Sequence, residues 1–317
     1  MSIAHHIREI GRGKDGTRSL SEAQAHDLMS QVLDRSVTDL EIGAFAIAMR
    51  IKGESIAEMA GFLAAAHERC IRVPNRRPTV VLPSYNGARK LPNLTALLAL
   101  LLAQEGIDVL VHGTEHDAGR VTTGAIFRDL GLPFASDATE IDDAWARHEP
   151  VFIRIEALCP ALAGLLDVRR VVGLRNSGHS IAKLLMPCVG TGAVRVVNYT
   201  HPEYAVLLGS FLGHSGADAL LMRGTEGEPV ADPRREPKFD VYVRGELRAD
   251  LSRPAQDGVL TSLPLLPRSH DASTTALYVQ SVVSGEKPAP PPLTRQVECL
   301  MRTLDAVSQP ASGERSA

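Results

Sequence analysis

The sequence predicts an α/β protein: a small N-terminal helical domain, then a larger α/β domain with a mostly parallel central sheet. Three observations predict it. Residues 20–68 carry helix-start signals and apolar helical runs without a strand-like segment. From Thr79 onward, short apolar strands alternate with helices, the pattern of a parallel sheet covered by crossover helices. The 317 residues, 44% of them apolar, can bury a substantial core in one or two domains.

Each element has a local reason. Leu20-Ser21-Glu22 opens a helix with Ser21 as its cap. Thr38-Asp39-Leu40-Glu41 is a capping box before the apolar run Ile42 to Met49, and Ser55-Ile56-Ala57-Glu58 is another before Met59 to His67. Residues 71–78 hold Pro74, Pro78 and three arginines and read as a linker. Strands are expected at Val80–Leu82, Val109–His112, Val151–Ile155, Arg195–Asn198 and Ala219–Met222. Helices are expected around 94–105, 122–131, 140–147, 203–214 and 273–284. Residues 176–187 form a helical patch that returns to the helical domain, and 225–257, rich in Pro, Gly and charge, hold a hairpin around 239–248. Ala289-Pro290-Pro291-Pro292 reads as a short polyproline turn, and Ser308–Ala317 as a frayed tail. The expected domains are 1–73, joined in space by about 173–190, and 79–172 with 191–307.

Composition narrows the function classes. The net charge of −3 rules out a polycation, so any nucleic-acid binding must come from a local basic face. The four cysteines, Cys70, Cys159, Cys188 and Cys299, have no CxxC spacing and read as free thiols of a reducing cytosol. Met-Ser-Ile-Ala-His-His has no apolar core leading to a cleavage site, and no uncharged apolar stretch reaches a membrane-spanning length of about 18 residues. A cytoplasmic protein without a membrane partner is expected. The eleven histidines show no H-x-x-x-H pattern, and no metal site is expected.

The segment richest in information is Pro83-Ser84-Tyr85-Asn86-Gly87-Ala88-Arg89-Lys90, between a strand and an apolar helix that starts near Leu94. Free amides and the helix dipole favour anions at such a place. Wrapping a small diphosphate closely needs glycines, and this loop has one, with a tyrosine and a proline that lacks an N–H. It suits anions better than it suits a close diphosphate cradle.

Leu20-Ser21, Asp39-Leu40-Glu41-Ile42-Gly43-Ala44-Phe45 and Arg50-Ile51-Lys52-Gly53-Glu54 resemble the helical domain of anthranilate phosphoribosyltransferase, and the order of elements agrees over roughly residues 5–305. The resemblance implies the nucleoside phosphorylase II (glycosyltransferase family 3) fold and a homodimer joined through helical domains. The three motifs that carry that chemistry depart from pattern. Where the enzymes have Gly-Thr-Gly-Gly-Asp for the diphosphate, this chain has Pro83-Ser84-Tyr85-Asn86-Gly87, with Asn93-Leu94-Thr95 downstream still similar. Their Lys-His-Gly-Asn is Val111-His112-Gly113-Thr114 here. Their magnesium-binding Asp-Glu pair is replaced by Pro229-Val230, after Arg223-Gly224-Thr225-Glu226-Gly227-Glu228; a carboxylate shifted along the chain substitutes poorly for a hard-cation ligand.

Ile10-Gly11-Arg12-Gly13-Lys14, the 83–90 loop, Arg175-Asn176-Ser177 and Gly224–Glu228 are similar to a divergent YbiB-type, anthranilate-phosphoribosyltransferase-like DNA-binding branch. That resemblance implies sequence-tolerant binding of DNA, with single strands or RNA as alternatives, by a homodimer without catalytic residues or a cofactor. The candidate phosphate contacts are Arg8, Arg12, Lys14 and Arg18 among N-terminal glycines; Tyr85, Asn86, Gly87, Arg89, Lys90, Asn93 and Thr95 around the loop; His112; and Arg175, His179 and Lys183, four residues apart as on one helical face. Tyr85 could stack on a base, and His112 could act as a general base. Ile42, Phe45, Ile47, Met49 and Met59 read as core or dimer contacts. Two other readings are a phosphoribosyltransferase with a different acceptor, which would need magnesium, and a pseudoenzyme that senses a nucleotide or phosphate.

Overall fold

The computed structural model describes residues 2–13 and 16–309. In chain order the elements are α1 (Ala4–Ile10), α2 (Glu22–Leu33), α3 (Asp39–Lys52), α4 (Ile56–His67), β1 (Thr79–Ser84), α5 (Thr95–Gln104), β2 (Asp108–Gly113), α6 (Thr123–Asp129), β3 (Phe134–Ala135), α7 (Ala138–Ala146), β4 (Val151–Arg154), α8 (Ile155–Leu158), α9 (Pro160–Val172), α10 (Ser177–Ala182), β5 (Ala193–Tyr199), α11 (Glu203–His214), β6 (Ala219–Arg223), β7 (Phe239–Val243), β8 (Glu246–Leu247), α12 (Ala272–Val283) and α13 (Pro291–Ser308). They form two compact units. One runs through Ile71 and takes in Ile155–Pro187; the other is Arg72–Arg154 with the chain from Cys188 onward.

In the helical unit, Ser21, Thr38 and Ser55 each close a capping box, with Gln24, Glu41 and Glu58 respectively. Helices α2 and α4 pack tightly because Gly61 has no side chain: a Cβ there would lie 2.3 Å from the carbonyl oxygen of Glu22. Phe45 and Phe62 meet edge to face at 5.8 Å. Glu58 is fully buried, and its carboxylate accepts from Leu20 N (2.9 Å), Ser55 N (2.8 Å) and Lys52 Nζ (2.6 Å), so the charge is paired and hydrogen-bonded.

In the α/β unit, eight strands form one sheet in the order β3-β4-β2-β1-β5-β6-β7-β8. The pairs from β3 to β6 are parallel, and β7 and β8 add antiparallel edge strands. Val80, Leu82, Val109, Val111, Phe127 and Phe152 centre its core, with α5, α12 and α13 laid against them. From β1 the chain runs out to one side of the sheet and then returns with β5 on the other. The crevice where such an order reverses, at the carboxyl ends of β1 and β5, is where open α/β sheets hold ligands.

The differences from the sequence reading have identifiable causes. The helical unit reclaims the chain at Ile155, not at about 173, because Leu162, Leu165 and Leu166 of α9 bury themselves within it. The polyproline segment is the start of α13: Pro291 and Pro292 occupy its first turn, where a missing N–H costs nothing. That helix runs through Ser308, and residues 310–317 lie outside the described residues. No helix among the described residues is long and apolar enough to cross a membrane.

Candidate anion site at the carboxyl end of the sheet

Strand β1 ends at Ser84, and the chain passes through Tyr85–Asn93 before α5 begins. Gly87 sits at φ +63°, and a Cβ there would lie 3.0 Å from both Arg120 Cβ and the Val121 carbonyl oxygen, so the turn needs glycine. Ala88 and Val121 exchange backbone hydrogen bonds of 2.9 and 2.8 Å, which fastens the loop to the start of α6. The amides of Asn86, Gly87, Arg89, Lys90 and Leu91 converge as an anion nest would require.

Both parts of the nest are filled from within the chain. The loop after β6 turns tightly at Thr225–Glu228, with Glu228 N donating to Thr225 O (2.9 Å) and with Glu226 and Gly227 both at positive φ. This turn aims two carboxylates at the β1–α5 loop. Glu228, 1% exposed, accepts through Oε1 from Asn86 N and Gly87 N, both at 2.8 Å. Its Oε2 accepts from the Ser84 hydroxyl, from Thr123 Oγ1 (3.1 Å) and from Asn93 Nδ2 (3.4 Å). Glu226 accepts from Arg89 N (3.2 Å), Lys90 N (2.8 Å) and Leu91 N (3.0 Å), with Arg120 3.9 Å away. A left-handed, non-glycine Glu226 costs on the order of 1 kcal/mol, and the three amides offset it.

The remaining candidates fall into five groups. Asn93 and Thr95 are buried, with Asn93 Oδ1 accepting from Thr95 N at 3.2 Å. His112 is buried at the end of β2, its Nδ1 2.7 Å from the Tyr85 hydroxyl, and the two rings meet edge-on at 5.5 Å. The side chains of Arg89 and Lys90 are exposed. In the helical unit Arg8 and Arg18 are exposed, Arg12 bonds Glu9 (3.0 Å), and Lys14 lies outside the described residues.

Arg175 precedes α10, Lys183 closes it, and between them His179 shares a capping box with Asn176. Burial first, then the Arg175 and Arg169 charges, hold the His179 imidazole down to about 4, with Lys183 adding to the effect. It is therefore neutral at pH 7. The unfolded chain, with a histidine near 6.5, binds more protons below that pH, so stability is intact above 6.5 and is lost as pH falls toward 4. Chemical denaturation should show a loss of about 1–2 kcal/mol between pH 7 and 5 from this group. His179→Gln, which preserves the capping box, should flatten that pH slope; an unchanged slope would refute the assignment.

Sequence comparison supplies the relatives. The helical bundle domain model of the glycosyl transferase family matches residues 4–70. The uncharacterized protein YbiB of Escherichia coli (strain K12) is 40% identical over 298 residues, covering 93% of this chain and 92% of YbiB. Anthranilate phosphoribosyltransferase of Parasynechococcus marenigrum (strain WH8102) is 31% identical over 272 residues, covering 84% of this chain and 77% of the enzyme. This chain belongs to the anthranilate phosphoribosyltransferase family. Among solved structures of that family, the Thermus thermophilus protein superposes with a TM-score of 0.65 at 19% identity, covering 95% of this chain and 94% of that one. The Saccharomyces cerevisiae enzyme in complex with PRPP and Mg gives 0.63 at 12% identity, covering 96% of each chain. These two likenesses are of fold.

For a family whose yeast member is seen with PRPP and Mg, the fit of this chain's residues to that ion can be tested. Magnesium demands free oxygens in near-octahedral geometry at about 2.0–2.1 Å. Both oxygens of Glu228 are already committed to N–H and O–H donors, and Glu226 is held by three amides. These residues do not fit the ion as they stand.

Proposed function

We propose that this member of the anthranilate phosphoribosyltransferase family is non-catalytic and binds nucleic acid, through its phosphate backbone and without sequence preference, as a homodimer. The observation that carries the reading is the occupation of the loop amides by Glu226 and Glu228. A diphosphate brought to this loop would find its donors taken and two carboxylates in its way. Like unit charges about 4 Å apart repel by ~4 kcal/mol near a protein surface. The exposed Arg89 and Lys90 side chains on the same loop, with Arg8 and Arg18 elsewhere, keep long-range attraction for phosphodiesters, whose contacts tolerate loose geometry. Self-association is supported by α3, where Leu40, Ala44, Ile47 and Ile51 recur at helical spacing and Leu40 and Ile51 are 83% and 79% exposed.

Fluorescence anisotropy with labelled single- and double-stranded DNA and with RNA, across a salt series, tests the proposal. Affinity should fall steeply between ~50 and ~200 mM salt, and the double variant Arg89→Ala/Lys90→Ala should flatten the log–log slope by about one unit per lost phosphate contact. Salt-independent binding, or none at low salt, refutes it. Asn93 and Thr95, in positions similar to the enzymes' Asn-x-Ser-Thr segment, favour a second reading, a phosphoribosyltransferase with a different acceptor. Magnesium-dependent binding of phosphoribosyl pyrophosphate would select it.

A further inference from the structure

A separate cavity of about 770 Å³ opens at the carboxyl ends of β5 and β6, within the α/β unit. It is bordered by Lys90, Arg223, Arg235 and Tyr199, and it touches the Glu226 turn but not Glu228. The volume lies within the range of about 300–1,000 Å³ typical of small-molecule sites. Its place, just outside the carboxyl ends of parallel strands, is where open α/β sheets bind ligands.

The charges around this cavity do not cancel. Asp232 is tied to Arg234 at 3.0 Å, and Glu236 is paired with Arg295. Glu226 is held by the amides of residues 89–91. Lys238 is satisfied by Asp240 at 2.9 Å. Asp257 is the remaining acid of the lining. Against it stand three exposed cations, Lys90, Arg223 and Arg235, none of which has an ion-pair partner among the described residues. The half-buried Tyr199 supplies an aromatic wall, and burial raises its phenol, so it stays uncharged. Three cations beside an aromatic wall suit a phosphate joined to a flat or apolar body, because guanidinium groups bind phosphate oxygens in paired hydrogen bonds.

We propose that this cavity is a binding site for an organic phosphate of nucleotide size, with Lys90, Arg223 and Arg235 holding the phosphate and Tyr199 facing the body of the ligand. The site uses neither Glu228 nor the loop amides that hold the two carboxylates, and takes from that loop only the Lys90 side chain as a cation; it stands whether or not the protein binds nucleic-acid strands. The ligand is either a free nucleotide or one nucleotide unit of a strand.

Isothermal titration of the full-length protein with ADP, without magnesium, tests the site. Saturable binding is expected, weakened at least about tenfold in Arg223→Ser/Arg235→Ser, which is ~1.4 kcal/mol. Both positions are exposed, so the fold should survive, and each single variant should show part of the loss. Displacement of ADP by a single-stranded oligonucleotide would assign the phosphate to a strand, and simultaneous binding would assign it to a free nucleotide; both support the site. No heat at millimolar ADP, or equal affinity in the double variant, overturns it.

Discussion

Glu228→Ala is expected to destabilise the α/β unit by about 3–5 kcal/mol, the range seen when one partner of a buried charged network is removed. The carboxylate is 1% exposed and accepts five hydrogen bonds, from the Ser84 and Thr123 hydroxyls, the Asn86 and Gly87 amides and Asn93 Nδ2. Without it those donors face a cavity, and each buried unpaired donor costs roughly 1–3 kcal/mol unless water enters. Glu228→Gln should cost less, about 1–2 kcal/mol. Its carbonyl can keep the two amides, and the hydroxyls can rotate to accept from its NH₂. Urea unfolding of the three proteins measures the order wild type, Gln, Ala. Equal stability of Ala and wild type would refute the account.

The same variant separates a structural carboxylate from one that stands in for a phosphate. If the nest is an anion site filled by the chain itself, removing Glu228 opens it to solvent anions. Phosphate or pyrophosphate should then raise the melting temperature of Glu228→Ala in a concentration-dependent way, reaching ~2.7 kcal/mol of stabilisation at a hundred times its Kd. Wild type should not respond at this loop, since its donors are spent. A Glu228→Ala protein indifferent to phosphate would mean that the loop has lost its nest altogether. On the proposed reading, anion geometry can persist while a diphosphate is kept out, because one side chain can preserve the first and block the second.

Most of the sheet was legible because β1, β2, β4, β5 and β6 carry short apolar runs between turn residues, and the five expected segments lie inside these strands apart from Ile155; the two-residue parallel strand β3, Phe134–Ala135, was too short to show a pattern and was not expected. The caps at Thr38 and Ser55 were legible for the same local reason. Helix α13 was not, since its three leading prolines resemble a turn; the recurrence of Leu293, Val297, Leu300 and Leu304 was the signal that could have found it. The filled nest was illegible in principle. Glu228 and Ser84 are 144 positions apart, and only the reversal of strand order at β1 and β5 brings their loops together. The sequence did place two carboxylates beside the vanished acidic pair. It gave no sign that they turn toward amides and away from a cation.

Gly113→Ala should be among the most damaging single substitutions in the chain, because it acts on the backbone that carries this site. Gly113 ends β2, in register with Ser84 of β1 and Arg154 of β4. A Cβ added there would lie 1.7 Å from the carbonyl oxygen of Ser84 and 2.7 Å from its carbonyl carbon. Both are backbone atoms of a central strand, so no side chain can rotate away to relieve the clash. The strands must separate at their carboxyl ends, and Ser84, whose hydroxyl meets Glu228, moves with them. A loss above about 4 kcal/mol, or failure to fold, is expected, well beyond the usual range for one substitution. A Gly113→Ala protein within about 1 kcal/mol of wild type in urea would show that β1 and β2 do not approach this closely. The close approach of β1 accounts for the absence of a side chain at Gly113 by strand spacing alone, without any ligand.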